Sequence, residues 1–154
     1  MAELQIAPFE PAALEPLLQL IYDTIDQSYA GVYGPAARQF FKEYHCKENV
    51  IRDAAAGCTI VATRGGELAG TGTLVGEDIR RVFIAPRFQG RGIGRIMMES
   101  LENRARLLGL PRVSLSASLP AQAFYHGLGY RVTADACDFF DGEPLHYFEM
   151  VKEL

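Results

Sequence analysis

The sequence predicts an α/β domain built on a mixed, mostly antiparallel sheet of about seven strands with flanking helices. Short apolar or β-branched runs separated by glycine turns recur along the chain and indicate strands. Around them lie segments whose apolar residues repeat at helical spacing. One predicted strand follows directly after a long helix, and this connection produces a parallel pair in the middle of the sheet. At 154 residues the chain is expected to form a single domain with its own core.

The composition excludes several functional classes. The hydrophobic content of 49% and the charged content of 22% are ordinary for a globular protein. A net charge of −4 provides no basic surface for nucleic acid or for an anionic membrane. No apolar run reaches the ~18 residues of a membrane helix, and the start of the chain lacks the pattern of a signal peptide. The 3 cysteines are scattered and have no ligand spacing to histidine, which predicts reduced thiols in the cytoplasm and no metal site.

The first third of the chain predicts one strand and two helices. Residues 4–7 form a strand candidate, and a helix covers residues 11–27 with proline at its favourable first position. Glycines and Pro35 interrupt this pattern, and Pro35 begins a second helix. The residues of that helix expected to face inward are Phe40, Phe41 and Tyr44. Residues 47–57 are compatible with a short helix or with a loop.

The middle of the chain predicts an antiparallel meander that leads into a glycine-rich turn and a long helix. The three strands of the meander, separated by glycine turns, are residues 58–63, 68–75 and 79–84. The helix ends at Gly109, a residue that suits a helix terminus. The inner face of the helix is expected to consist of Ile93, Met97, Leu101, Ala105 and Leu108.

The last third predicts the parallel strand and a closing hairpin. Residues 112–116 follow the long helix and are expected to lie parallel to residues 79–84. Residues 119–127 form a short helix with Ser118 as the candidate N-cap. The two strands of the hairpin are residues 130–139 and 145–152.

Residues 89–94, Gln-Gly-Arg-Gly-Ile-Gly, carry most of the functional information. They follow a buried strand and open a helix, so the free N–H groups of the first helical turn point at a ligand. The stretch therefore predicts a cradle for a phosphate or pyrophosphate, at the crevice between the carboxyl ends of the parallel strands. The residues of a P-loop are absent, and the glycine spacing differs from the dinucleotide fingerprint. The alternatives are a turn that only joins strand to helix and a regulator that binds another nucleotide.

Two blocks of sequence share their order and spacing with a known enzyme family. The first is Ile84-Ala85-Pro86 followed by Gln-Gly-Arg-Gly-Ile-Gly at residues 89–94, which is similar to the signature Gln/Arg-x-x-Gly-x-Gly/Ala. The second runs from Ser118 to Tyr130 and is similar to Asn-x-x-Ala-x-x-Phe-Tyr-x-x-x-Gly-Phe. The chain thus resembles the GNAT superfamily of acyl-CoA-dependent N-acetyltransferases along nearly its whole length. The resemblance implies the acyl-CoA N-acyltransferase fold, in which the central parallel pair is splayed.

The resemblance implies acetyl-CoA as the cosubstrate and no metal. The pyrophosphate would bind the cradle amides with Arg91 and Arg95 as charge partners, and the pantetheine arm would pair with the strand backbone at residues 82–84. The alternatives are that these strand residues serve only as core and that both arginines are solvated. The residues assigned to acetyl-CoA are Val82, Phe83, Ile84, Gln89, Gly90, Arg91, Gly92, Ile93, Gly94, Arg95, Ser118 and Tyr125.

Acetyl transfer to an amine needs a base for the ammonium, a donor to the developing oxyanion and an acid for the thiolate. Tyr125 matches the family tyrosine that protonates the thiolate, and ordinary pKa values make this transfer uphill by about 2 kcal/mol. Asp78 is the candidate base, Glu77 is its neighbour, and deprotonation through water is a third route. The alternatives are a core aromatic at Tyr125 and a solvated turn carboxylate at Asp78. Ser118 stands where the family has asparagine and offers fewer hydrogen-bonding groups.

The acceptor is expected opposite coenzyme A, at a rim formed by residues 28–34 and 139–145. Carboxylates on or beside these segments favour a cationic amine, and ordinary surface charge is the alternative. These carboxylates belong to Asp23, Asp26, Asp138, Asp141 and Glu143. The predicted function is transfer of an acetyl group from acetyl-CoA to a primary amine, with a non-catalytic acyl-CoA sensor as the alternative. A homodimer is compatible with the sequence.

Overall fold

A computed structural model describes residues 2–154 and contains one seven-stranded sheet in the order β1-β2-β3-β4-β5-β7-β6. The strands are β1 (Leu4–Pro8), β2 (Cys58–Arg64), β3 (Glu67–Val75), β4 (Asp78–Ile84), β5 (Arg112–Ser118), β6 (Arg131–Phe140) and β7 (Glu143–Glu153). The helices are α1 (Leu14–Ser28), α2 (Pro35–Tyr44), α3 (Lys47–Ala56), α4 (Ile93–Leu107) and α5 (Gln122–Gly127). The predicted α/β fold with a mixed, mostly antiparallel sheet is confirmed.

The helices on one side of the sheet form where apolar residues recur on one face. In α1, Leu17, Ile21 and Ile25 are at most 1% exposed. The sequence of residues 47–57 is compatible with a helix or a loop, and the structure has α3 there, with Val50 and Asp53 buried. Burial of this inner face favours the helix over the loop.

Two hydrophobic clusters fill the two sides of the sheet, because alternate residues of a strand point to opposite faces. On one side α4 packs Met97 and Leu101 against strand residues that include Ile60. On the other side α1 packs against Val61 and Phe83. The sheet therefore separates a surface covered by α4 from a surface covered by α1 to α3.

Three side chains depart from their predicted positions. Leu108 is 58% exposed because it lies beyond the end of α4, where Gly109 turns the chain with φ +76°. Tyr44 is 42% exposed because it is the last residue of α2. Ser118 makes no side-chain capping hydrogen bond, since it ends β5 and a 3₁₀ turn separates it from α5.

β4 and β5 are parallel as predicted, but they pair only at their amino ends. Within residues 2–154, Asp78 opposite Ser114 is the one paired position, and the Ser114 N–H also donates to the Glu77 carbonyl at 2.9 Å. Beyond this point β4 pairs with β3, and β5 pairs with β7. A cleft therefore opens between the carboxyl halves of β4 and β5.

A β-bulge in β4 lies where the cleft begins. Thr73 of β3 pairs with Arg80, and Thr71 pairs with Phe83, so β4 has one residue more than β3 between these pairs. Arg81, inside this bulge, has a left-handed backbone with φ +54°. A bulge bends the strand that carries it and increases its twist.

Candidate active site

Two cavities meet at the cleft. We call the first the cradle cavity; it has a volume of about 500 Å³ and is lined by the end of β4, the glycine-rich turn and the start of α4. We call the second the carboxylate cavity; it has a volume of about 290 Å³ and lies between α2, β4 and β7. The residues that line both cavities are Tyr29, Val82, Phe83, Ser118, Ala121 and Tyr125. A molecule in one cavity can therefore contact a molecule in the other.

The glycine-rich turn has the geometry of an anion cradle. Gly90 (φ +76°) and Gly92 (φ +82°) have left-handed backbones, and Gly92 is the N-cap of α4. A Cβ at Gly92 would meet nothing within 4 Å, so the space over the turn is open. A Cβ at Gly94 would lie 3.0 Å from the Phe124 ring. The turn thus combines a backbone that favours glycine with the free amides of a 15-residue helix.

The polar side chains of the turn have different surroundings. Gln89 donates from Nε2 to the Ile84 carbonyl at 3.0 Å and so ties the turn to the end of β4. Arg95 lines the cradle cavity. Arg91 is exposed and its guanidinium lies 5.7 Å from the centre of the Phe88 ring. Of the two arginines assigned to the pyrophosphate, the structure places only Arg95 on the cavity wall.

The carboxyl half of β4 presents a strand edge to the cradle cavity. Val82, Phe83 and Ile84 line the cavity, and within the described chain no residue of β5 pairs with them. The Phe83 side chain packs in the α1 cluster, whereas Val82 and Ile84 pack against the α4 cluster. The side chains of residues 82–84 can therefore pack in the core while the backbone edge of β4 stays free in the cleft.

Tyr125 lies on the wall between the two cavities. It is 7% exposed, and its ring makes edge contacts with Phe124 at 5.1 Å and Tyr130 at 5.8 Å. Burial raises the pKa of Tyr125 far above its ordinary value, and the neighbouring Tyr29 raises it further. The figure of about 2 kcal/mol for proton transfer to a thiolate rests on ordinary pKa values, and the raised phenol pKa makes transfer to an ordinary thiolate more unfavourable.

Asp78 lies at the head of β4 and lines the carboxylate cavity. Its Oδ2 accepts a hydrogen bond from Arg80 Nε at 2.7 Å. Burial raises the pKa of Asp78, Arg80 opposes the rise, and the negative charge of Glu149 adds to it. Glu77, the neighbouring candidate base, pairs instead with Arg112 at 3.5 Å and lines neither cavity.

Two further carboxylates line the carboxylate cavity. Glu149 of β7 accepts a hydrogen bond from the Ser116 hydroxyl at 2.7 Å. Asp138 accepts one from the Tyr147 hydroxyl at 3.2 Å. Asp138 is among the carboxylates predicted from the sequence, and Glu149 is not. The available signal for Glu149 was strand alternation, which puts it on the same face as the buried Leu145.

Three other acidic residues expected at the rim lie outside both cavities. Asp23 accepts a hydrogen bond from Gln19 at 2.8 Å, and Asp26 pairs with Lys42 at 2.7 Å. Asp141 lies in the turn between β6 and β7. These carboxylates therefore lie on the surface or in the turn, and not on the walls of either cavity.

The hairpin of β6 and β7 closes the carboxylate cavity against α2. Glu143 accepts a hydrogen bond from the Ala36 N–H at 2.5 Å, in the first turn of α2. Phe140 stacks on Phe40 with ring centres 4.1 Å apart. We call these two contacts the hairpin contacts.

The Tyr33 hydroxyl adds a third link on the same side. It donates to the His146 carbonyl at 2.6 Å and accepts from the Leu119 N–H at 2.9 Å. Tyr33 is 3% exposed, and burial raises its pKa, so the hydroxyl stays protonated and available for both bonds. The connection between α1 and α2 is thereby attached to β7 and to the segment after β5.

Residues 2–154 contain neither a metal-binding cluster nor a helix able to span a membrane. No group of three or more His, Cys, Asp or Glu side chains in this range is arranged to hold a metal ion. In the same range, no helix combines the length and the apolar character needed to cross a bilayer.

Comparison with protein families gives one match across most of the chain. Residues 24–154 match the family model described as acetyltransferase (GNAT) domain. The matched range includes the glycine-rich turn, both parallel strands and Tyr125.

Solved structures of similar fold include several acetyltransferases. A GCN5-related N-acetyltransferase of Rhodopseudomonas palustris is 22% identical, with a TM-score of 0.90 over 100% of this chain and 98% of that chain. The PaiA N-acetyltransferase of Thermoplasma acidophilum, in complex with coenzyme A, is 17% identical with a TM-score of 0.79 over 99% of both chains. A GNAT acetyltransferase of Elizabethkingia anophelis with acetyl-CoA bound is 16% identical, with a TM-score of 0.66 over 98% of both. At these identities the likeness shows the fold alone.

Proposed function

This chain belongs to the GNAT acetyltransferase family, and on that premise we propose that it moves an acetyl group from acetyl-CoA to a primary amine of a small molecule or peptide. The observation that carries the proposal is the shared wall of the two cavities, which contains Tyr125. A donor in the cradle cavity and an acceptor in the carboxylate cavity would meet there. Direct attack of the amine on the thioester requires this close approach.

The cradle cavity fits the parts of acetyl-CoA. The amides at the start of α4 and the Arg95 guanidinium suit a pyrophosphate, and the open space over Gly92 accommodates it. The free edge of β4 at Val82, Phe83 and Ile84 suits the extended amide chain of pantetheine. When bound, acetyl-CoA would supply a thioester whose acyl carbon bonds to the amine nitrogen as the carbon–sulfur bond breaks.

Tyr125 is the proposed hydrogen-bond and proton donor to the departing sulfur. Because its pKa is raised by burial, the hydroxyl is protonated throughout the neutral range. A buried hydroxyl that donates to a thiolate stabilises the developing charge in a low dielectric, even before the proton moves. The proton that leaves the hydroxyl can return through solvent after the products separate.

Asp78 is the proposed acceptor of the ammonium proton. Its raised pKa makes it a stronger base than an ordinary carboxylate and reduces the gap to an amine of pKa about 10.4. Glu149 lies on the same cavity and supports this raised basicity through its negative charge. A water between the ammonium and either carboxylate would serve the same purpose.

The charge balance of the carboxylate cavity supports a cationic amine as the acceptor. The two arginines on its wall have acidic partners, since Arg80 pairs with Asp78 and Arg81 pairs with Asp53. Glu149 and Asp138 accept hydrogen bonds from neutral hydroxyls, so their charges are not compensated by these contacts. Aromatic side chains on the facing wall suit an alkylammonium group through cation–π contact. They are Tyr29, Phe40, Phe41 and Tyr44.

Thermal shift with acetyl-CoA, coenzyme A and ATP tests the donor site. Stabilisation by the first two ligands and not by ATP is expected, and stabilisation by ATP alone would contradict the cradle assignment. A panel of polyamines, amino acids, aminoglycosides and peptides, assayed for release of free thiol, then tests the acceptor. Turnover confined to neutral or acidic acceptors would contradict the charge argument. Binding of acetyl-CoA with no thiol release for any amine would favour the acyl-CoA sensor.

A further inference from the structure

A buried charge cluster connects α3 to β4 outside the cradle cavity. Asp53 is 2% exposed and Arg81 is 5% exposed. Arg81 Nη1 donates to Asp53 Oδ2 in a short contact, and Arg80 Nη1 donates to the same oxygen at 3.2 Å. The exposed Arg52 reaches the other oxygen at 3.1 Å. Asp53 is therefore surrounded by three arginines, and Arg81 is the buried one among them.

The Asp53 carboxylate stays charged at every physiological pH. Burial by itself would raise the pKa of Asp53, but hydrogen bonds from Arg52, Arg81 and Arg80 outweigh it and lower the pKa to about 2. The Arg81 guanidinium is further enclosed by Tyr44, whose carbonyl accepts a hydrogen bond at 3.4 Å and whose ring centre lies 5.6 Å away. The guanidinium is thus fixed from α2 and from α3.

The backbone at Arg81 has an unfavourable conformation. A non-glycine residue with φ +54° is strained, and such strain persists only where the surroundings impose it. Arg81 is also the extra residue of the β4 bulge, between the pairs that Arg80 and Phe83 make with β3. An arginine has no intrinsic preference for this conformation, so its surroundings impose it, and they include the side-chain contacts of Arg81 with Asp53 and Tyr44.

We propose that the Asp53–Arg81 ion pair is a positioning device that holds the β4 bulge and thereby keeps the edge of β4 at residues 82–84 open to the pantetheine arm. The pair draws Arg81 toward α3, and neither residue of the pair lines the cradle cavity. With the bulge in place, β4 leaves β5 after Asp78 and its next residues line the cavity unpaired. The inference rests on the proposed function, because it concerns how the proposed donor binds. Asp53 and Arg81 are positioning residues and touch no reacting atom.

The test separates pantetheine binding from phosphate binding. Isothermal titration calorimetry compares coenzyme A with 3′-phospho-ADP, its nucleotide half, in wild type and in Asp53→Asn. If only a minor fraction of the variant keeps the bulge, the affinity for coenzyme A falls in proportion to that fraction, by about tenfold or more. The affinity for 3′-phospho-ADP, which would contact only the cradle, should not change. An equal loss for both ligands, or no loss for coenzyme A, would overturn the proposal.

Two control variants separate this effect from general destabilisation. Arg52→Gln removes the exposed partner of Asp53, leaves the buried pair intact and should bind coenzyme A as wild type does. Glu102→Gln weakens a buried charge cluster in α4 that touches neither cavity. It should lower stability without changing affinity for coenzyme A. A loss of affinity in either control as large as that in Asp53→Asn would refute the assignment.

A double variant covers the case in which Asp53→Asn does not fold. Asp53→Asn with Arg81→Met leaves no buried unpaired charge and keeps at the bulge a residue that disfavours positive φ. Weaker coenzyme A binding with unchanged 3′-phospho-ADP binding is again expected, because the constraint is gone. Wild-type affinity in the folded double variant would show that the pair positions nothing. Wild type that binds no coenzyme A would instead refute the proposed function.

Discussion

Replacement of His45 by phenylalanine should make the protein more resistant to mild acid. His45 is 6% exposed and lies edge-on to Phe83 with ring centres 5.0 Å apart. Its Nδ1 is buried and has no hydrogen-bond partner among the described residues. Burial and, to a smaller extent, the positive charge of Arg81 lower the pKa of His45, Asp53 partly opposes both effects, and the resulting pKa is about 3. The imidazole is therefore neutral in the folded protein and becomes charged only when the chain unfolds.

The magnitude follows from the difference between the folded and unfolded pKa values. An unfolded histidine has a pKa near 6.5, so between about pH 6.5 and 3 the unfolded state binds one proton more than the folded state. Stability then rises with pH: the contribution of His45 is complete above pH 6.5 and is lost as the pH falls. Each pH unit within this window costs about 1.4 kcal/mol. Lowering the pH from 7 to 5 should cost wild type about 2 kcal/mol that His45→Phe retains.

Urea denaturation at pH 7 and pH 5 measures this difference. Asp78 has a raised pKa and contributes in the opposite direction at the acidic end, but it is present in both proteins and cancels in the comparison. His126→Gln is the matched control, because His126 is exposed and its loss should leave the pH dependence of wild type unchanged. If wild type and His45→Phe lose the same free energy of unfolding between pH 7 and pH 5, the inference that His45 is neutral and buried is wrong.

Three further substitutions test the site and the core. Tyr125→Phe should lower kcat, measured by thiol release, by about 10²-fold. The affinity for acetyl-CoA, measured by calorimetry, should be nearly unchanged. An unchanged kcat would remove the hydroxyl from the mechanism. Gly92→Val forces a β-branched residue to φ +82° and should lower the free energy of unfolding, measured in urea, by about 1–2 kcal/mol. It should also abolish coenzyme A binding, and normal binding would contradict the cradle. Glu102→Gln removes the charged acceptor of the Tyr130 hydroxyl and of Lys152, both at 2.7 Å. It should lower the free energy of unfolding, measured in urea, by about 1.5–3 kcal/mol. Wild-type stability would show that these two hydrogen bonds contribute little.

The parts of the fold that depend on local sequence were predictable. Glycine turns at residues 65–66 and 76 delimit the strands of the meander, and each of these glycines has a positive φ. The crossover after α4 predicted the parallel strand, and the glycine-rich turn predicted a helix N-terminus at residues 92–94. In these cases the residue that determines the backbone conformation lies within a few positions of the segment that adopts it.

The parts that depend on distant residues were not predictable. An arginine with a positive φ gives no local signal, and the bulge at Arg81 becomes intelligible only when Asp53, in another element, is placed beside it. The carboxylate cavity likewise arises from pairing of β5 with β7, which puts Glu149 opposite Ser116 across 33 positions of sequence. Burial in the folded protein raises the pKa of Tyr125, and the sequence motif gives no indication of this burial.

The hairpin contacts have a consequence for how this enzyme could acquire new acceptors. Glu143 and Phe140 belong to the β6–β7 hairpin, and their partners belong to α2, so both segments lie outside the cradle. Exchange of the hairpin tip together with α2 would reshape the acceptor wall as one unit and leave the glycine-rich turn and the β4 edge unchanged. Under the proposed function, selectivity for the acceptor and affinity for the donor can thus diverge separately. A library confined to these two segments is accordingly the shortest experimental route to altered acceptor preference.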